Sequence, residues 1–202
     1  HTTSNIDVLD EYAETITGTN GKYFYQYGNE KRPVISTEVT VKYKTAGGMK
    51  EKRFTVFRTH HGPVVRSEGD KWIAVRIMEE PVKALTQSYS RTKSRNYAEF
   101  SKWTELKTNS SNNTIFADAE GTIAYFHGNY LPRRDASFDW TKPVDGSNPA
   151  TEYKGLHALN ELPSFQNPAT GWLYNANDSP WQAAGAASPK KADFPAYVEQ
   201  GG

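Results

Sequence analysis

The sequence predicts an α+β fold in which strands dominate. Three observations predict it. Two-residue alternation recurs early: Val39, Val41 and Tyr43 against Thr40 and Lys42, then Ile73, Val75 and Ile77 against Trp72, Ala74 and Arg76. That is the period of a half-buried strand. Between Ser94 and Lys107 the aromatic and apolar residues Tyr97, Phe100, Trp103 and Leu106 recur every three residues, the spacing of a helix face. From Leu131 to Pro180 the chain is rich in Pro, Gly, Asn and Trp and reads as long ordered loops, which in compact domains usually serve function.

The elements follow in order. Asn5 to Thr17 places Ile6, Leu9, Tyr12 and Ile16 three and four apart, which predicts a short helix with Asp7 and Asp10 near its start. Thr19-Asn20-Gly21 ends it in a turn. Lys22 to Tyr27 is an aromatic strand. Ala46-Gly47-Gly48 is a hairpin turn, and Arg53 to Thr59 the returning strand. Lys71 to Met78 is a further strand. The Ser94–Lys107 helix is capped by Ser94 or Asn96, and its aromatics read as core packing. Ile115–Asp118 and Thr122–His127 are short strands around Glu120-Gly121. Ala183 to Ser188 is small and expected to be mobile.

Composition narrows the function. The chain has 202 residues, a net charge of +1 and no cysteine. Balanced charge argues against a dedicated nucleic-acid binder, which needs a basic surplus. Without cysteine there is no disulfide scaffold, no cysteine-ligated metal and no thiol nucleophile. No run approaches the ~20 apolar residues of a membrane helix. The opening at His1 without methionine predicts an excised or processed piece.

Several groups invite chemistry. His60-His61 suggests a metal, but neighbours on a strand point to opposite faces, so the pair is expected only to enter the Gly62-Pro63 turn. Asp7 and Asp10 share one face of a helical turn. They are hard oxygen ligands of the calcium type, or acids at a helix start. No serine sits in a Gly-x-Ser-x-Gly elbow, and phosphate-binding glycine loops are absent. In GWLYNANDSPW (Gly171 to Trp181), Asn175 and Asn177 alternate with Ala176. On an extended backbone both amides face one side, where an N–H could polarise a carbonyl. An Asn-Asp-Ser-Pro turn is the simpler reading. Trp72, Trp140, Trp172 and Trp181 could also stack on glycans in a β-rich carbohydrate-binding module.

GWLYNANDSPW, together with RTHHGPVV (Arg58 to Val65), NTIFADAEGTIAYFHGNYLPRR (Asn113 to Arg134) and KGLHALNELPSFQNPATG (Lys154 to Gly171), resembles the β chain of the penicillin acylase family. These are N-terminal-nucleophile amidohydrolases acting on penicillins, cephalosporins or acyl-homoserine lactones. The four segments stand in the family's order over essentially the whole chain.

The resemblance implies a partial αββα fold, with 1–21 and 66–202 in the hydrolase core and 22–65 a small β-rich subdomain. It implies a serine nucleophile whose own α-amine is the base. His1 stands where that serine is expected, and Ser4 has no free α-amine, so the chain alone is expected to be inactive. By the same resemblance, the Asn177 side chain and the Thr3 backbone N–H hold the oxyanion. Calcium is implied at Asp7, the Leu9 carbonyl and Asp10, with Trp140 and Glu199, or less favourably Asp193, completing the set, weakly in the isolated chain. Implied partners are an α chain, the remaining β-chain segments and an N-acyl small molecule, with self-association through surface those partners would cover. The implied location is the periplasm or beyond.

Overall fold

The computed structural model describes residues 2–4 and 6–198. In chain order the strands are β1 (Thr2–Thr3), β2 (Asp10–Thr19), β3 (Lys22–Tyr27), β4 (Glu30–Pro33), β5 (Ile35–Thr45), β6 (Gly48–Arg58), β7 (Val64–Glu68) and β8 (Lys71–Arg76). Two helices follow, α1 (Pro81–Arg91) and α2 (Tyr97–Thr104). Then come β9 (Asn112–Ala117), β10 (Ile123–Phe126), β11 (Val144–Asp145) and β12 (Ser164–Gln166), with short 3-10 turns toward the C-terminus. Strands dominate, as the alternation predicts.

The chain packs as two units, one of His1–Val8, Met78–Arg134 and Tyr153–Gly202, the other of Leu9–Ile77 and Asp135–Glu152. The second unit is wider than the 22–65 subdomain expected from sequence, because β2 and β8 pair along six residues, from Asp10 opposite Arg76 to Thr15 opposite Lys71.

In the first unit an antiparallel sheet runs β1-β9-β10-β12. Helix α2 starts where Asn96 Oδ1 accepts the Glu99 N–H at 3.0 Å, one of the two caps expected. Its Phe100 lies 4.8 Å from Phe116 and 5.5 Å from Phe126, centroid to centroid. The aromatic stripe is therefore core. A second cluster gathers Ile6, Leu131, Leu162 and Val198. Helix α1 begins with Pro81 at its first turn, a position that suits proline's fixed φ and missing N–H. The periodicity hides it, because Val82, Leu85 and Tyr89 are exposed and its buried residue is Gln87. In the small-residue stretch Ala183 to Ser188, Ala183 and Ala184 are buried while Gly185 and Ala186 are exposed.

In the second unit the strand order is β4-β3-β2-β8-β7, with β11 pairing parallel to β2. β2 replaces the helix expected over Asn5–Thr17. The buried positions of its first half alternate, Asp10, Tyr12 and Glu14. Two of the three are acids, so a hydrophobic-period reading cannot see the strand. β5 and β6 pair in full register from Ile35–Arg58 to Thr45–Gly48, closing at the expected Ala46-Gly47 turn. This ribbon puts Val39, Val41, Tyr43, Phe54 and Val56 on one face, all exposed, with Lys50 and Lys52 opposite Tyr43 and Val41. Ser36, Glu38, Thr40, Lys42, Glu51 and Arg53 share the other face.

Candidate functional site

The first unit brings two sequence-distant segments, β1 and the 175–178 loop, to one strand, β9. β1 lies against β9 with Thr2 opposite Asn113 and Thr3 opposite Asn112. Ser4 N–H continues the ladder to the Ser111 carbonyl at 2.9 Å. Asn113 is buried. Its Oδ1 sits 2.7 Å from His127 Nδ1, so its Nδ2 is turned toward the 175–178 loop. There it donates to Asn175 Oδ1 at 3.3 Å and to the Asp178 carbonyl at 3.2 Å.

The loop is held by its own polar groups. Asn175 Nδ2 donates to Asp178 Oδ1 at 3.0 Å and to the Asp178 carbonyl at 2.9 Å. Asp178 Oδ1 also accepts the Ala176 N–H at 3.0 Å, and Oδ2 the Tyr174 hydroxyl at 2.9 Å. These donors, the Ala176 N–H foremost, hold the Asp178 carboxyl below its ordinary pKa. Asn177 N–H donates to Asn175 Oδ1 at 3.2 Å.

The segment is thus a turn and not an extended strand. Asn177 has φ 67°, a left-handed conformation that Asn tolerates better than most residues. The expectation that Asn175 and Asn177 face one side is corrected accordingly. Asn175 is half-buried and anchors the loop, while Asn177 is exposed at the bend. Asn175 and Asp178 carry the turn. Asn113 and His127, which buttress it, have no local motif that announces them.

The residues expected to hold calcium are distributed as follows. Asp7 is in the first unit, where Arg134 Nη2 donates to its carbonyl at 3.1 Å and lies 3.6 Å from its Oδ1. Leu9, Asp10 and Trp140 are in the second unit. Leu9 is half exposed, Asp10 and Trp140 are buried, and Trp140 Nε1 donates to the Asp135 carbonyl at 2.8 Å. Glu199 lies outside the described residues. Of the four tryptophans considered for glycan stacking, Trp140 is buried and Trp72 and Trp181 are half-buried. Trp172 alone among them is exposed, so they make no row of open rings.

The second unit contains a titratable cluster that the sequence reading set aside. Thr59 and Gly62 exchange backbone hydrogen bonds at 3.0 and 3.3 Å, so His60 and His61 occupy the tip of a two-residue turn. Gly62 has φ +143°, and a Cβ there would meet the Val75 carbonyl oxygen at 1.9 Å. Only glycine closes this turn. At its tip the rule of opposite faces does not apply, and the two rings lie 3.8 Å apart.

Glu152 Oε1 is 2.7 Å from His60 Nε2 and 3.2 Å from His61 Nε2. Arg76 donates to Glu152 Oε2 at 2.8 Å. On the inner side, Glu14 Oε1 accepts from Thr59 Oγ1 at 2.6 Å and faces His61 Nδ1 at 2.8 Å. Hydrogen bonding from His60, then from His61, drives the Glu152 pKa far down against the cost of its burial. Burial pulls the His61 pKa down, but Glu14 and Glu152 outweigh it and hold it above the usual value.

Comparison with known proteins bears on both units. The penicillin amidase family profile matches residues 1–200. Penicillin G acylase of Escherichia coli is 28% identical over 180 residues, spanning 86% of this chain and 20% of the relative. The solved structure of a thermostable penicillin G acylase from Alcaligenes faecalis superposes with a TM-score of 0.77 at 25% identity, over 94% of this chain and 35% of that one. This chain therefore spans about a fifth of the curated relative's length.

Proposed function

Because the chain belongs to the penicillin amidase family of amidohydrolases, we propose that it is the section of an N-terminal-nucleophile acylase that supplies the oxyanion donors. The enzyme deacylates N-acyl small molecules of the penicillin, cephalosporin or acyl-homoserine-lactone kind. A serine outside residues 1–202 attacks the amide carbonyl, and its own α-amine takes the proton and passes it to the leaving amine. Water then releases the acyl group. Asn177 Nδ2 and the Thr3 N–H stabilise the oxyanion in both tetrahedral intermediates.

The observation that carries this reading is the β1–β9 register. Thr2 lies opposite Asn113, and the Asn113 amide grips the 175–178 loop. Strand and loop, some 170 residues apart, are thereby both tied to β9 at Asn113. A donor on a turn fixed by Asn175 and Asp178 needs little rearrangement when charge develops, which is what oxyanion stabilisation requires.

An α chain and the other β-chain segments complete the enzyme in this proposal, and the exposed apolar face of the β5–β6 ribbon is surface they would cover. Asp7, the Leu9 carbonyl and Asp10 offer only hard oxygens, which suits calcium. With Trp140 and Glu199 they would hold it as a structural tie outside the chemistry. Export to the periplasm or beyond belongs to the same proposal.

The test is Asn177→Ala in the complete enzyme. Loss of one oxyanion donor typically lowers kcat about 10²–10³-fold, and KM and the thermal midpoint should stay close to wild type, since the charge exists only in the transition state. A variant with normal kcat and a lowered midpoint would make Asn177 a turn residue and nothing more.

A further inference from the structure

We propose that the Thr59–Gly62 turn binds one divalent transition-metal ion of the zinc class, with His60 Nε2, His61 Nε2 and Glu152 Oε1 as its ligands. Ligating atoms of these three residues lie within 4.8 Å of one another. Donors around tetrahedral zinc stand roughly 3.3 Å apart, given bonds of about 2.0–2.1 Å. The two N···O separations of 2.7 and 3.2 Å reach that spacing with small side-chain movements.

The orientation of His61 is the stronger argument. Its Nδ1 faces Glu14 Oε1 at 2.8 Å, so Nδ1 carries a proton. Its Nε2 is buried and faces Glu152 Oε1 at 3.2 Å. Between this nitrogen and the carboxylate oxygen there is room for one positive centre, a proton or a metal ion. A carboxylate behind the distal nitrogen is also the usual outer support of a metal-bound histidine.

The other two ligands are prepared in the same way. The Tyr25 hydroxyl lies 3.1 Å from His60 Nδ1 and can accept its proton, which leaves Nε2 to bind. Arg76 occupies Glu152 Oε2 and leaves Oε1 turned to the histidines. Glu14, Glu152 and Arg76 together leave one negative charge, which a divalent ion overcompensates by one. Two imidazoles and one carboxylate select zinc, cobalt, nickel or copper over calcium, which takes oxygen donors. Water fills the fourth position, reached from the side of the exposed His60.

Cobalt(II) and zinc(II) are the probes. Tag-free protein equilibrated with cobalt(II) at neutral pH should carry one ion per chain and display the absorption of four-coordinate cobalt, which zinc(II) abolishes by displacement. His60→Gln and Glu152→Gln should each weaken binding at least about tenfold. His60 is exposed and Glu152 half-buried, and circular dichroism will show whether the variants fold. In the wild type, zinc(II) should shift the Nε2 resonances of both histidines, a readout that needs no variant. No binding, binding unchanged in both variants, or unmoved ring nitrogens would mean that a proton alone fills the gap, and would overturn the proposal.

Discussion

The two units bury different chemistry. The first packs Ile6, Leu131, Leu162 and Val198 in one cluster and Phe100, Ala124 and Phe126 in another, and its buried polar groups, such as Asn113, His127 and Arg134, include no carboxylate among the described residues. The second turns Asp10, Tyr12 and Glu14 inward from β2, with His61 stacked on Tyr12 at 3.8 Å. Histidine registers the contrast. In the first unit, burial and then the Arg133 charge lower the pKa of His157. In the second, two carboxylates overcome burial and raise that of His61. Burial alone therefore does not decide a buried group's charge; the partners packed with it do.

The contrast can be broken at specific residues. Glu14→Ala strips Thr59 and His61 of their common acceptor. Removing one member of a buried charged pair costs about 3–5 kcal/mol. Hydrogen exchange should show that loss in the β2 and β8 amides, with β9 and β10 keeping their protection. A change below about 1 kcal/mol would mean that apolar contacts hold the second unit too.

Leu131→Ala is the counterpart in the first unit. Leu131 is fully buried, and such truncations cost about 3 kcal/mol. Here the β9 and β10 amides should lose protection and β2 should not. Equal loss in both units would show that they unfold as one.

The pH effect at His157 is the smallest. Its folded pKa lies below the ordinary 6.5. As pH falls through 6.5 the unfolded chain takes up a proton that the native state resists. The stability present above that pH is lost on acidification toward the folded value. His157→Gln should remove this slope from the thermal midpoint between neutral and mildly acidic pH. An unchanged slope would assign it elsewhere.

The most legible part of the first unit is α2, because its inward residues are aromatic and their period ordinary. Tyr97, Phe100 and the Asn96 cap announce α2. The β5–β6 ribbon was also readable, since Val39, Val41 and Tyr43 alternate cleanly with polar residues. Where structure departs from sequence, polar groups do work that a hydrophobic pattern does not record. Asp10 and Glu14 mask β2. Gln87, inward on α1 and accepting from Thr108 N–H and Oγ1 at 3.0 and 2.8 Å, masks that helix. The turn at His60-His61 is legible from Gly62-Pro63, but the opposite-faces rule for strands does not hold at its tip, where the two rings come together. At the candidate oxyanion site the sequence pointed to Asn177, but not to Asn113 and His127, whose contacts come from strands far along the chain.

The β5–β6 ribbon carries a rule for how this chain can vary in length. Its apolar face exists only while each residue keeps its parity with the one opposite. A single inserted residue in β5 would send every residue beyond it to the other face, moving Val41 and Tyr43 from the side of Phe54 and Val56 to that of Glu51 and Arg53. Two residues added to each strand preserve both faces and extend the ribbon by about 7 Å. Lengthening or shortening in such four-residue steps is the change this element can absorb without repacking, which makes the ribbon tip the natural place to graft a sequence onto the molecule.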